Sequence, residues 1–251
     1  FSIPFVTIFG PDPVCFNDTG VYNLPFISNT YYSWDLDCGT IIDTSNNQVT
    51  IVWDQLNSGN CDLNVFALNQ CGSNTGLSTI YINELPNITT SSDTVICEGE
   101  QVQINATGGN SYTWSPTTGL INPSSSNTTA QPSINTDYEV EVTNTDGCID
   151  VDTVSITVNP LPNVDAGLNT IICEGNSILL QASGADNYLW NSDPTLSALD
   201  ISNPSATPTN DNTYFVTITN SSTGCSAIDS VLITVIQKNN NGLEIDACEG
   251  D

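Results

Sequence analysis

Nine cysteines are the residues of this 251-residue chain with the most reactive side chains: Cys15, Cys38, Cys61, Cys71, Cys97, Cys148, Cys173, Cys225 and Cys248. Two chemistries are open to such a set, zinc ligation and disulfide formation. Structural zinc sites use short Cys-x-x-Cys knuckles and often His. This chain has no His, and its successive cysteine spacings are 23, 23, 10, 26, 51, 25, 52 and 23 residues. The expectation is disulfides, and with them an oxidising compartment outside the cytoplasm.

Other catalytic chemistry lacks parts. A Ser-His-Asp nucleophile is excluded by the absence of His. A carboxylate pair could hydrolyse a glycoside, but the acids are scattered over turns and strand faces. No catalytic residue is assigned, and the chain is not read as an enzyme. Trp34, Trp114 and Trp190 could stack on sugars. Their near-constant offset from a preceding cysteine (19, 17 and 17 residues) suggests core residues instead. Trp53, in "VTIVWDQL", stands outside that slot, and its exposure is left open. Asp35, Asp37, Asp165, Asp186 and Asp193 lie near turns, where Ca2+ sites form. No Asp-x-Asp-x-Asp-Gly loop is present, so solvated loops are expected and no cofactor or metal residue is assigned. Ca2+ is the one ion these groups would suit.

The charge is lopsided. Lys238 is the only Lys or Arg, and the net charge is −27. Nucleic acid binding needs cations to displace counterions, and an anionic membrane surface would repel the chain. No stretch of eighteen apolar residues exists, so no membrane-inserting helix is expected. No signal peptide is recognisable, Phe1 is first and Met is absent. The simplest expectation is a piece of a longer, processed protein.

The elements that would hold these residues repeat. "ICEGEQVQINATGGNSYTW" (96–114) returns as "ICEGNSILLQASGADNYLW" (172–190), with eight of nineteen positions identical. Cys97, Trp114 and Cys148 recur as Cys173, Trp190 and Cys225, at shifts of 76, 76 and 77. Within each unit apolar residues alternate with period two, as in strands: Val102, Ile104 and Ala106; Tyr138, Val140 and Val142; Val154, Ile156 and Val158. Gly-Gly-Asn, Asn-Pro and Asp-Gly punctuate them. About seven short strands with a Trp on the third read as an immunoglobulin-like sandwich. "ELPN" and "PLPN" mark joints stiffened by proline. The expected division is 1–84, 85–160, 161–236, and a linker opening a further unit at 237–251. The first unit is diverged, and Tyr32-Ser33-Trp34 answers the Tyr-x-Trp. Cys248-Glu249-Gly250 reopens the repeated sentence, so Cys248 is expected to lack a partner within the chain.

Two pairings remain open. Within units they are Cys15–Cys71, Cys97–Cys148 and Cys173–Cys225, with Cys38–Cys61 in the first. Against this, Cys148 and Cys225 follow Asp-Gly and Thr-Gly, in or after a hairpin turn. That turn belongs at the opposite end of a sandwich from Cys97 and Cys173. A bridge between neighbouring units, such as Cys97–Cys225, would then be the nearer match, but pairing within units stays the expectation because each full unit carries its own pair.

The pattern C-E-G, Y-x-W, T-Y-x-V-x-V/I-T-N and G-C, with "PLPNVDAG" between units, resembles the Ig-like and PKD-like repeats of Bacteroidota cell-surface proteins. These include gliding-motility adhesins exported by type IX secretion. The likeness is strong over 85–236. It is looser over 1–84, where "PVCFNDTGVY" and "NVFALNQCG" resemble the PKD-like variety. It implies an all-β fold of tandem sandwiches in an extended array. It also implies an extracellular, cell-surface location and, as partners, neighbouring repeats of the same polypeptide, secretion or motility machinery and surface glycans. Asp-Thr-Val and Asp-Ser-Val resemble that phylum's O-glycosylation motif and would mark Thr94, Thr153 and Ser230. Asn-x-Ser/Thr sequons at Asn17, Asn87, Asn105, Asn127 and Asn220 read as chance in so Asn-rich a chain. The leading expectation is the structural stalk of a secreted adhesin or filament. The alternatives are a glycan- or protein-binding module, and accessory domains of a secreted hydrolase whose catalytic part lies outside this chain.

Overall fold

The computed structural model describes residues 2–55 and 58–237. Strands and turns make up the whole of it, with no helix among the described residues. The all-β expectation is met, and the reason is the period-two alternation of side chains.

In the first repeat the strands are β1 (Val14–Cys15), β2 (Thr19–Asn23), β3 (Tyr31–Leu36), β4 (Thr40–Ser45), β5 (Gln48–Val52), β6 (Gly59–Asn69) and β7 (Gly72–Asn83). They form two sheets, ordered β1-β7-β6-β3 and β2-β5-β4. β6 shows the logic: Cys61, Leu63, Val65 and Ala67 are buried, and the residues between them face outward. The core between the sheets gathers Tyr22, Val49, Ile51, Trp53, Leu63 and Ile80. Trp53 is fully buried and meets Tyr22 edge-on, ring centroids 5.7 Å apart. This settles the open question of its exposure.

The second repeat runs through β8 (Thr89–Thr90), β9 (Thr94–Cys97), β10 (Val102–Thr107), β11 (Ser111–Ser115), β12 (Asn127–Ala130), β13 (Thr136–Thr143) and β14 (Ile149–Asn159). Its sheets are β12-β10-β8 and β11-β13-β14-β9. The third has β15 (Thr170–Cys173), β16 (Ile178–Leu179), β17 (Asn187–Trp190), β18 (Ser205–Ala206), β19 (Asn212–Thr219) and β20 (Ser226–Ile236), in sheets β15-β20-β19-β17 and β16-β18. Trp114 and Trp190 are fully buried, as their repeated slot predicts. Each indole contributes on the order of 1.5–3 kcal/mol by leaving water. Each also satisfies its polar atom, donating from Nε1 to Ser125 O (2.9 Å) or Ile201 O (2.8 Å).

All three repeats share one plan. A long last strand pairs in parallel with a short early one: β7 with β1, β14 with β9, β20 with β15. Every sheet closes within residues 14–83, 89–159 or 170–236. Chain contacts gather into two compact units. Among the described residues, one comprises 2–55, 58–93, 102–130 and 137–155; the other comprises 94–101, 131–136 and 156–237. The second unit thus takes β9 and the end of β14 together with the third repeat. β9 ends on Cys97, which is bonded into that repeat.

Candidate functional site

The first cysteine of each repeat ends the short parallel strand. Cys15 lies opposite Asn83, Cys97 opposite Asn159 and Cys173 opposite Ile236, each at the finish of the last strand. One turn follows all three. Phe16, Glu98 and Glu174 donate their N–H to the carbonyls of those opposite residues, each at 2.9 Å. Asp18, Glu100 and Asn176 then donate back to the cysteine carbonyl at 3.0 Å. The residue between must turn left-handed. Gly99 has φ +85°, Gly175 +86° and, in the first repeat, Asn17 +66°. The repeated Cys-Glu-Gly is therefore a turn signal, with Asn replacing Gly in the diverged copy.

The second cysteine, Cys71, Cys148 or Cys225, stands directly before the last strand. Asn144 and Asn220 close the hairpin by donating to Cys148 O (3.0 Å) and Cys225 O (2.9 Å). The two cysteines of a repeat are thus separated by the length of its last strand. β7 has 12 residues and β20 has 11, so the gap is roughly 36–40 Å at ~3.3 Å per residue. A disulfide needs Cα atoms within about 7 Å. This rules out Cys15–Cys71 and Cys173–Cys225, and the same plan defeats Cys97–Cys148. Within-unit pairing is corrected accordingly.

The structure instead bonds Cys15 to Cys148, with Cα atoms 5.5 Å apart, and Cys97 to Cys225, at 5.6 Å. The first cysteine of one repeat meets the second cysteine of the next, the alternative raised by the hairpin position. Cys38–Cys61 forms as expected, tying the turn after β3 to β6. Cys173 is disulfide-bonded as well. Cys71, expected to be bridged, is a free and exposed thiol. Cys248 lies outside the described residues.

Polar contacts reinforce the first bridged joint. Asn144 Nδ2 donates to Glu84 O at 2.9 Å, one residue before Leu85-Pro86-Asn87. Gly108, at φ +107°, lets the linker pass so closely that a Cβ there would stand 2.3 Å from Asn87 O. In the third repeat Gly184, at φ +132°, does the same beneath Asn163 O, at 2.4 Å.

Of the five candidate aspartates, Asp35 is exposed on β3 and the other four have structural duties. Asp37 accepts from Asp62 N, Asp165 from Gly167 N, and Asp186 from Ser221 N and Oγ. Asp193 accepts from Thr195 and Asn212. Hydrogen bonds from Ser221 and Thr195 hold the Asp186 and Asp193 carboxyls below the usual carboxylate range. Among the described residues, one set of metal-capable atoms converges, Asp37 with Cys38 and Cys61, and its two sulfurs are bonded to each other. Thr153 is exposed, while Thr94 and Ser230 are half-buried. The aspartates before these three each tie neighbouring chain: Asp93 to Ser155 N, Asp152 to Thr90 Oγ1 and Asp229 to Ala166 N. That role gives the repeated Asp-Thr/Ser a reason in the fold. Trp34 departs from its expected core position, being only half-buried against the first repeat's core.

Residues 2–80 match the PKD-like domain family. No curated protein matches the chain. Among solved structures, the I67–I69 fragment of the titin I-band is similar at 11% identity and a TM-score of 0.39, covering 94% of this chain and 100% of that one. The three N-terminal domains of Hoc, the outer capsid protein of bacteriophage RB49, are similar at 14% identity and a TM-score of 0.36, covering 92% and 98%. The insect immune protein hemolin is similar at 14% identity and a TM-score of 0.33, covering 91% and 76%.

Proposed function

We propose that this chain is a stretch of a covalently linked repeat array, serving as the stalk of a secreted, surface-exposed adhesin. The observation that carries this is the pattern of bridges, each joining one repeat to the next. A repeat needing only its own stability would staple itself. A staple across the joint fixes neighbours to each other, which is what a load-bearing series of modules requires. The compartment follows from the sulfur chemistry, since such bridges persist where thiols are oxidised. An acidic surface rich in Ser, Thr and Asn keeps such an array in solution. Export by a type IX pathway, and glycans at Thr94, Thr153 and Ser230, belong to this reading through the motif likeness.

Two measurements test it. A protease site placed in the Leu85–Asn87 linker should allow cutting without separation, the pieces parting only on reduction. Antibodies against the fragment should label intact cells that make the parent protein. Labelling only after permeabilisation would reject the surface assignment.

A further inference from the structure

We propose that the first repeat carries a binding cleft for a neutral carbohydrate, with Trp34 as its stacking platform. This stands independently of the stalk reading. The cleft has a volume of about 400 Å3 and is lined by Thr30, Tyr31, Tyr32, Ser33, Trp34, Thr44 and Asn46. That size falls within the range of small-molecule sites.

The cleft exists because the first repeat departs from its neighbours. In the second repeat the chain between β11 and β12 crosses over the Trp slot and accepts the Trp114 Nε1 hydrogen bond through Ser125 O. In the third, Ile201 O does the same for Trp190. In the first, only Asp37, Cys38 and Gly39 separate β3 from β4. None of those three residues accepts a hydrogen bond from Trp34, and Trp53 is fully buried in the core. Trp34 remains half-buried at the open side of the sandwich. Its Nε1 and the Thr30 Oγ1 are screened from solvent and hydrogen-bonded to nothing among the described residues. Such atoms are costly to leave unpaired; of the three among the described residues, the third being Trp53 Nε1 in the core, these two belong to residues that line the cleft.

The walls suit one ligand chemistry. β3 and β4 are both edge strands, so each has backbone donors and acceptors free of a sheet partner. Ser33, Thr44 and Asn46 are exposed and add hydroxyl and amide groups. Tyr31, 64% exposed, provides a second ring at the mouth. Aromatic faces beside neutral donors and acceptors match a pyranose ring, which has apolar C–H faces and a hydroxyl rim. No lining residue is charged. Asp35 and Asp43 flank the lining in sequence, and the net charge is −27, so acidic sugars are disfavoured.

The test is titration of the full chain with cellohexaose, chitohexaose and an oligogalacturonate, read by tryptophan fluorescence and calorimetry. At least one of the two neutral oligosaccharides should bind saturably at millimolar concentration or below, and the acidic one more weakly. Trp34→Ala should weaken that binding about tenfold, and Trp34→Phe less. Asn46→Gly, which keeps the left-handed backbone of Asn46 (φ +47°), should weaken it without unfolding the repeat. Tyr81→Ala, exposed and outside the cleft, should bind as the parent does. No binding of either neutral sugar would overturn the proposal. So would equal binding of the acidic one, or binding that survives both Trp34→Ala and Asn46→Gly. Concentration-dependent dimerisation abolished by Trp34→Ala would assign the two edges to strand pairing instead, and would also overturn it.

Discussion

Asn144 serves both sides of a joint. Its Oδ1 accepts from Asp146 N and Cys148 N, each at 3.0 Å, and shapes the hairpin that presents Cys148. Its Nδ2 donates to Glu84 O in the preceding repeat. Asn144→Asp keeps the acceptor but sets an anion against a carbonyl; Asn144→Ala removes both roles. Each should destabilise the first joint, by about 1 kcal/mol for the lost hydrogen bond. Thermal melts of the oxidised protein would show it, and hydrogen exchange at 84–87 should accelerate in both variants.

The two close linker passages make a paired prediction. Gly108→Ala and Gly184→Ala each add a Cβ to a left-handed residue and drive it into a carbonyl oxygen. Each should cost about 1–3 kcal/mol. Gly147→Ala offers a control: it shares the positive φ but meets nothing within 4 Å, so it should cost less. Denaturant titrations would rank the three.

Acid should reveal Asp193. The side-chain hydrogen bond from Thr195 holds its carboxyl low; burial opposes it, and bonds from Asn212 and the Thr195 backbone add smaller lowering effects. A depressed carboxylate contributes stability above its unfolded-state pKa, near 3.9, and loses it as pH falls through the folded value. The stability lost in Asp193→Asn should therefore be full at neutral pH and shrink below about pH 4. A loss that is constant with pH would show that the carboxylate's charge is not what Thr195 and Asn212 recognise.

Salt should stabilise the protein. The described residues include no Lys, Arg or His, so their acids find no side-chain cation among them. Repulsion within a chain of net charge −27 is screened as the Debye length falls to about 10 Å at 0.1 M salt. The melting temperature should rise between low and moderate NaCl, with chloride and acetate equally effective.

Thiol chemistry should separate Cys71 from the rest. It is exposed and free, while Cys148 and Cys225 in the equivalent place are buried and bonded. Iodoacetamide should label Cys71 in the oxidised protein. Fusing a copy of residues 85–160 ahead of Phe1 should protect it, because the copy's first cysteine would then occupy the position that Cys15 holds toward Cys148. Continued labelling in the fusion would break the equivalence.

Much of this was legible in the residues. Period-two runs such as Val154, Ile156 and Val158 marked strands correctly because each strand buries one face. The repeated offset placed Trp114 and Trp190 in the core. Pairing was harder, since the alternation says nothing about which end of a strand a cysteine occupies. The clue was there in Asp-Gly-Cys and Thr-Gly-Cys: a hairpin glycine before the cysteine puts it at the start of an eleven-residue strand, out of its own partner's reach. Trp34 misled for a different reason. Tyr-x-Trp is the same short motif in all three repeats, but burial depends on the chain that crosses over it. In the first repeat that chain is only three residues long, and a second Trp, nineteen positions on, fills the core.

The two inter-repeat bridges also overlap in sequence, and this limits how far the chain can be drawn out. Cys97 falls inside the loop closed by Cys15–Cys148, and Cys148 falls inside the loop closed by Cys97–Cys225. Suppose every sandwich in the chain were pulled apart. Tension entering at Cys15 would cross by sulfur to Cys148, run backwards along 51 residues to Cys97, and cross by sulfur again to Cys225. The tether between Cys15 and Cys225 would then stop at about 185 Å, against about 710 Å for the same 210-residue span without bridges. Reduction would release the difference, making the extensibility of the strand a property set by its redox surroundings.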